Sequence, residues 1–249
     1  MSRPLGAQIS YMLKARGVDV IFGIPGVHNQ EMYRGIEEAG ITHVLARHEQ
    51  GAGFMADGYA RASGTPGVAY VITGPGLCNI MTPLGQAYSD SVAVLTIASC
   101  LDETAATRGQ LHQMRDQVAA AATVCDWSEM AQTADAAYRL IDRALNEFAA
   151  NRPRPKAIHV PIAALEGQAD GPQHAPLVAP LKRAEVNPGD MRELAEALRA
   201  ASRPLIVYGG GVARADASNA ARVVAEKSGA AVFLTYAASG VVAADYPLY

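Results

Sequence analysis

The chain has 249 residues, of which 50% are hydrophobic and 18% charged, with a formal net charge of −3. That much apolar material can build a real core, which excludes a disordered or fibrous protein. The weak negative charge excludes a strong electrostatic grip on nucleic acid or on an anionic membrane. The three cysteines, Cys78, Cys100 and Cys125, contain no C-x-x-C pair, so neither a disulfide framework nor a zinc site is expected. They read as small core thiols in a reducing cytoplasm. No window holds the roughly 18 uncharged apolar residues of a membrane span, and the N-terminus opens no signal core.

Taken in chain order, helical periodicity alternates with short apolar runs. Residues 5–16 carry apolar side chains at 5, 9, 12 and 13, the spacing of an amphipathic helix. Residues 18–22 read as a strand, closed by the turn Gly23-Ile24-Pro25-Gly26. A helix is expected over 28–39, with Gly40 as its stop. A short strand over 42–45 and a helix over 48–62 come next. The strand at 68–72 leads through a Gly-Pro-Gly turn into a helix that runs to about residue 88. Residues 92–98 form another strand, and 101–117 read as polar and irregular. Helices are expected at 118–124 and 133–150 around a short strand near 123–126. Residues 157–160 close the block as its last strand. Such alternation, with nearly continuous apolar strands, predicts an α/β fold: a doubly wound parallel sheet covered by helices on both faces.

Residues 1–165 are therefore read as one domain. The stretch 166–189, rich in proline and without sustained period, reads as a linker. A second Rossmann-like α/β unit starts at Asp190. It has a helix to Ala201, a strand at 204–208, a tight turn at Gly209-Gly210-Gly211, a helix over 215–228 and a strand over 230–234.

In an open α/β sheet, ligands sit at the carboxyl ends of the strands. Three features fall there: Gly23-Ile24-Pro25-Gly26, then Arg47-His48-Glu49-Gln50-Gly51-Ala52-Gly53, then Thr73-Gly74-Pro75-Gly76. Glycines let backbone approach a ligand closely. Glu49 opens a helix, where the dipole favours a carboxylate. Each feature alone also fits an ordinary turn or a surface acid. No Walker A motif, G-x-G-x-x-G or H-E-x-x-H occurs.

Together, with Gly51-Ala52-Gly53-Phe54-Met55-Ala56-Asp57-Gly58-Tyr59-Ala60-Arg61 following Glu49 and Leu77-Cys78-Asn79 following Gly76, these segments resemble the pyrimidine-binding domain of thiamine-diphosphate enzymes. The resemblance is to the acetohydroxyacid synthase and 2-oxoacid decarboxylase superfamily and spans nearly all of residues 1–165. Residues 190–249 resemble the first part of that family's central domain.

The resemblance implies a catalytic role for Glu49. Its carboxyl would hydrogen-bond N1′ of the cofactor aminopyrimidine and favour the imino tautomer that removes the thiazolium C2 proton. A glutamate suits this because a partly desolvated carboxyl can exchange a proton. Pro25, Gly26, Glu49, Thr73, Gly74, Pro75, Gly76 and Asn79 would bind the cofactor. Val27 stands where pyruvate decarboxylases have an aspartate, so that substrate class does not transfer, and His28 is the nearest group able to move protons; it could equally just cap the next helix. His112 and Gln113 lie where the synthases carry a glutamine-bearing active-site loop.

Arg108 to Gln117, with Gly-Ile-Pro-Gly-Val-His at 23–28, most resembles 5-guanidino-2-oxopentanoate decarboxylases. A guanidinium substrate would want a carboxylate such as Glu31 or Asp116. The function implied is 2-oxoacid decarboxylation. The alternatives are an acetolactate synthase-type carboligase, or a non-catalytic nucleotide-binding or assembly subunit.

The resemblance also implies a dimer or tetramer with the active site at the subunit interface. The family's central domain holds FAD in the synthase branch, but several decarboxylases keep it without flavin, so FAD is not the expected occupant here. The sequence contains no Gly-Asp-Gly, the motif with which the family holds Mg²⁺ and the diphosphate. Mg²⁺ is therefore expected on a domain absent from this chain, and no metal ligands are assigned here. On that reading the chain is a fragment of a longer protein, rather than one subunit of a split enzyme.

Overall fold

The structure, a computed structural model, describes residues 2–102, 108–172 and 176–248. Residues 103–107 of the stretch read as irregular, and 173–175 of the stretch read as a linker, lie outside these. The chain divides into two units, Met1–Arg183 and Ala184–Tyr249.

In the first unit β1 (Arg3–Pro4) leads into α1 (Leu5–Ala15), and β2 (Val20–Gly23), α2 (Gln30–Glu38) and β3 (Thr42–Leu45) follow. Next come α3 (Glu49–Ser63), β4 (Gly67–Val71), α4 (Pro75–Asp90) and β5 (Val94–Cys100). The unit continues through α5 (Gln117–Ala122), β6 (Trp127–Met130), α6 (Ala134–Ala150) and β7 (Lys156–Pro161). It closes with α7 (Ile162–Glu166) and β8 (Gln168–Ala169).

Six strands form one parallel sheet in the order β3-β2-β4-β5-β7-β6. The chain steps from β2 outward to β3, then crosses back to β4 on the other side of β2. The strand order therefore reverses between β2 and β4, which makes their carboxyl ends the crevice where such sheets bind ligands.

Strand residues alternate between two apolar layers. Ile21, Val68, Tyr70, Leu95, Ile97 and Ile158 pack with α1, α2 and α6. Phe22, Ala69, Val71, Val94, Ala98 and Ala157 pack with α3, α4 and α5. The second layer is built of small residues and is tight. A Cβ at Gly53 would lie 2.7 Å from Ile80 Cγ1 and would also run into the Pro83 ring, so α3 and α4 touch almost backbone to backbone. Arg61 of α3 locks the same pair by binding Asp57 at 2.6 Å and Asp90 of α4 at 2.8 Å.

Two expectations shift. The strand expected near 123–126 is β6, at 127–130. It is the edge strand and half-buried throughout, so its residues do not form the apolar run that marks an inner strand. Of the cysteines, Cys100 and Cys125 are buried, but Cys78 is exposed. Burial pushes both inner thiols up to about 12, which makes them inert.

Residues 166–183 are anchored to the first unit. Their β8 pairs antiparallel with β1, Tyr138 Oη donates to Asp170 O at 2.8 Å, and Leu177 N donates to Asp142 Oδ2 at 2.6 Å. These anchors are scattered backbone groups, which leave no periodic trace in the sequence.

The second unit holds α8 (Pro188–Ala200), β9 (Leu205–Tyr208), α9 (Gly210–Arg214), α10 (Ser218–Ser228) and β10 (Ala231–Leu234), then a 3₁₀ turn at Tyr236–Ala238. β9 and β10 pair in parallel. Gly209-Gly210-Gly211, expected as a tight turn, instead opens the short helix α9. Ala221, Ala225, Val232, Ala238, Val241 and Val242 form its small core, while Leu205, Val207 and Phe233 are exposed. Among the described residues, no helix of either unit is long and apolar enough to cross a membrane.

Candidate active site

The site lies at the carboxyl ends of β2 and β4. After β2, the turn Ile24–His28 is held by Asn29. This side chain is fully buried; its Oδ1 accepts from Gly26 N at 2.7 Å and its Nδ2 donates to Ile24 O at 3.4 Å. After β4, the turn Thr73-Gly74 enters α4, with Pro75 at the first helical position, where its missing N–H costs nothing. Ile72 sits between the two turns. A Cβ added at Gly26 or at Gly76 would each come within 2.6 Å of it.

Gly74 has φ +65°, and a Cβ there would run into the His112 carbonyl. Only glycine permits both the backbone angle and the approach. His112 itself has φ +62°, uncommon for a residue with a side chain. The loop carrying Arg108 to Asp116 is thus folded down onto the Gly74 turn.

Glu49 is the first residue of α3, which His48 caps through Gln50 N to His48 Nδ1 at 3.1 Å. Glu49 and Asn79 come from neighbouring helices, and Asn79 Nδ2 donates to Glu49 Oε2 at 2.9 Å. Among the described residues no hydrogen bond reaches Oε1. That oxygen faces Gly76, lying 3.4 Å from where a Cβ would stand. Pro83, one helical turn after Asn79, has no N–H to return to the Asn79 carbonyl.

A cavity of about 500 Å³ opens here, lined by Gly74, Pro75, Cys78, Asn79, Gln110, His112, Gln113 and Met114. Cys78 Sγ lies 3.9 Å from Met114 Sδ on its wall. Gln113 turns back on its own loop, its Oε1 accepting from Arg108 N at 2.9 Å and Gln110 N at 3.2 Å.

His28 and His112 meet edge to face, with ring centroids 5.3 Å apart. The Nδ1 atoms of both rings are buried and, among the described residues, have no hydrogen-bond partner. Burial first, then the neighbouring His112, lowers the pKa of His28 below the usual imidazole value.

The structure brings Glu49, Thr73, Gly74, Pro75, Gly76 and Asn79 together with Gly26, and His28 with His112. Pro25 instead lines a second cavity of about 430 Å³, beside Tyr33, Ile36, Glu37, Ile41 and His43. Of the two carboxylates considered for a guanidinium, each has one oxygen engaged, while Glu31 Oε2 is buried and has no hydrogen-bond partner among the described residues. Glu31 pairs with Arg34 at 2.7 Å, and Asp116 Oδ1 caps α5 by accepting from Ala119 N at 2.8 Å.

Sequence reasoning missed Asn29, Tyr33, Ser99, Gln117 and His159. Tyr33 Oη donates to Tyr70 O at 3.0 Å and packs over Gly23. Burial, and then Tyr70 and the charge of Glu49, keep its phenol protonated. Asn29 had a legible signal, since Asx residues close turns of this kind. Ser99, Gln117 and His159 are single polar residues in apolar surroundings and had none.

The donor set and the glycine cradle fit an aminopyrimidine: one free carboxylate oxygen, a second oxygen held in place, and two turns where backbone alone lines the approach. Among the described residues, no group of three or more His, Cys, Asp or Glu could hold a metal ion.

Comparison with known proteins agrees with this geometry. Residues 3–120 match the family model "Thiamine pyrophosphate enzyme, N-terminal TPP binding domain", and residues 191–249 match "Thiamine pyrophosphate enzyme, central domain". The chain is 42% identical to a probable 2-ketoarginine decarboxylase of Pseudomonas aeruginosa, over 98% of this chain and 44% of that protein. It is 33% identical to an acetolactate synthase of Mycobacterium bovis, over 94% of this chain and 38% of that one. It is 31% identical to a glyoxylate carboligase of Escherichia coli, over 96% and 40% respectively. The chain thus spans less than half the length of these relatives.

Proposed function

From the premise that this chain belongs to the thiamine pyrophosphate enzymes, carrying sequence of their N-terminal and central domains, we propose that it holds the aminopyrimidine end of thiamine diphosphate in a 2-oxoacid decarboxylase. The observation that carries this is the Glu49 carboxylate, with Oε2 held by Asn79 and Oε1 facing the Gly76 cradle. When bound, the cofactor supplies the carbon nucleophile and the sink for the electrons left by departing CO₂.

The chain supplies placement and protons. Glu49 Oε1 holds or passes the proton at the pyrimidine ring nitrogen. Asn79 aims the carboxylate. The turns at Gly26 and Gly74–Gly76 let backbone close on the ring. His28 and His112, whose Nδ1 atoms have no hydrogen-bond partner among the described residues, form the pair that moves protons on the substrate side, and Gln113 holds the loop of His112. Proton transfer by positioned groups of this kind is worth about 10²–10⁴ in rate.

The preferred substrate in this reading is 5-guanidino-2-oxopentanoate, supported by the 42% identity to a protein named for 2-ketoarginine. Mg²⁺ and the diphosphate would be held outside these residues. A dimer or tetramer, with the cofactor between subunits, and a cytoplasmic setting belong to the same reading. These residues alone are expected to be inactive, so the test is CO₂ release from 5-guanidino-2-oxopentanoate, pyruvate and glyoxylate by the protein with its diphosphate-holding part, with thiamine diphosphate and Mg²⁺ present. Release confined to the guanidino acid supports the substrate assignment; release from none of them overturns the decarboxylase reading.

A further inference from the structure

Behind the Gly74 turn runs a chain of hydrogen bonds that the chemistry above does not use. Gly74 N donates to Gln117 Oε1 at 2.9 Å. Gln117 Nε2 donates to Ser99 O at 2.8 Å and stands 3.0 Å from His159 Nδ1. His159 Nε2 is 2.8 Å from Ser128 Oγ, which donates to Val118 O at 2.8 Å. Thr73 N donates to Ser99 Oγ at 3.0 Å, and the two hydroxyls lie 2.9 Å apart. Thr73, Ser99, Gln117 and His159 are all buried.

The direction of every bond around Gln117 is forced. Gly74 N–H can only donate, so it must face Gln117 Oε1. The Ser99 carbonyl can only accept, so it must face Nε2. The Gln117 amide therefore has one orientation, and its Nε2 presents a hydrogen to His159 Nδ1. That nitrogen must carry a lone pair, which places the imidazole proton on Nε2, where Ser128 Oγ accepts it. Ser128 is then left to donate to Val118, as observed. No member of the chain can turn over without leaving a buried group unpaired. Five elements meet in it: the turn after β4, β5, the first residue of α5, β7 and its neighbour β6.

We propose that Gln117 is a positioning residue for the Gly74–Gly76 turn, and that His159, as its Nε2–H tautomer, accepts the remaining amide hydrogen and so braces Gln117 in that orientation. The importance of that turn for the cofactor rests on the function proposed above; the control of the turn does not. Because Asp116 caps α5 immediately before Gln117, the same bond also ties the His112 loop to the turn. Removing the His159 acceptor leaves a buried Gln117 amide hydrogen unpaired, which loosens the side chain that holds Gly74 N–H.

The test is nuclear magnetic resonance of the chain as it stands. In the wild type, the imidazole ¹⁵N resonances of His159 should report the proton on Nε2 and a bare Nδ1. A proton on Nδ1 would overturn the proposal, and this measurement needs no variant to fold. His159→Asn places an amide oxygen where Nδ1 was and should preserve slow hydrogen exchange at Gly74. His159→Leu and Gln117→Leu should each speed that exchange about tenfold, the loss of one buried hydrogen bond. A role in filling space alone predicts the reverse, with His159→Leu as well protected as His159→Asn. Thiamine diphosphate and Mg²⁺, added to the protein with the part that holds the diphosphate present, separate the two claims. If they leave the amides of Gly74 and Gly76 unmoved while the His159 dependence holds, the cofactor reading fails and the positioning chain stands.

Discussion

Asn79 on α4 donates a 2.9 Å hydrogen bond to one oxygen of Glu49 on α3, leaving the other oxygen toward Gly76. Two helices that are packed almost backbone to backbone thereby decide where a single carboxylate oxygen points. Asn79→Ala should leave the fold intact, since the side chain is only partly buried. It should lower turnover by about 10–100-fold, the worth of a hydrogen bond to a charged group. Steady-state kinetics beside a thermal melt checks both halves.

Gly74 carries two constraints, a positive φ and the carbonyl of His112 against its Cα. Gly74→Ala should cost about 2–3 kcal/mol from backbone strain alone, with the clash added. The melting temperature should fall by roughly 5 °C or more. Exchange at amides 109–114 should rise in the same variant, because that loop must lift for the methyl group to fit.

The imidazole of His28 is held neutral by burial and by His112 beside it. Removing the neighbour removes a positive charge whenever His112 is protonated. His112→Gln should therefore raise the pKa of His28, and the acid limb of the pH–rate profile should move up with it. Titration of the His28 ring protons measures the first directly. An unchanged or lower value would separate the two rings electrostatically.

His159 makes overall stability depend on pH with a definite sign. Burial lowers it to about 4, with Asp116 the one charge opposing this. In the unfolded chain the same ring titrates near 6.5. Between those values the unfolded state binds a proton that the native state does not, so stability rises with pH across about pH 4 to 6.5. Acidification through that window should remove on the order of 3 kcal/mol. Urea unfolding at a series of pH values should show this slope in the wild type and a shallower one in His159→Asn.

The legible part of the molecule was the part that repeats. Inner strands such as β4 and β5, buried at every position, read as apolar runs. The helices read from their period, and glycine turns marked the carboxyl ends where the site lies. The edge strand β6 was expected too early in the chain, because half-burial leaves no continuous apolar run to fix its bounds. Glu49, Gly74, Gly76 and Asn79 stood in motifs whose spacing survives in sequence. Gln117 and His159 lie 42 residues apart and are joined only by the meeting of α5 with β7, so no local pattern could announce them. Pro25 stands in its motif, but which cavity it lines shows only in the fold.

The central claim is that Glu49 is the cofactor's proton partner, and Glu49→Gln tests it with the smallest change of shape. The account predicts that 2-oxoacid turnover by the protein with its diphosphate-holding part, with thiamine diphosphate and Mg²⁺, falls by about 10²–10⁴. The melting temperature should stay within a few degrees, because Glu49 contributes no buried ion pair. Full activity in that variant would contradict the account.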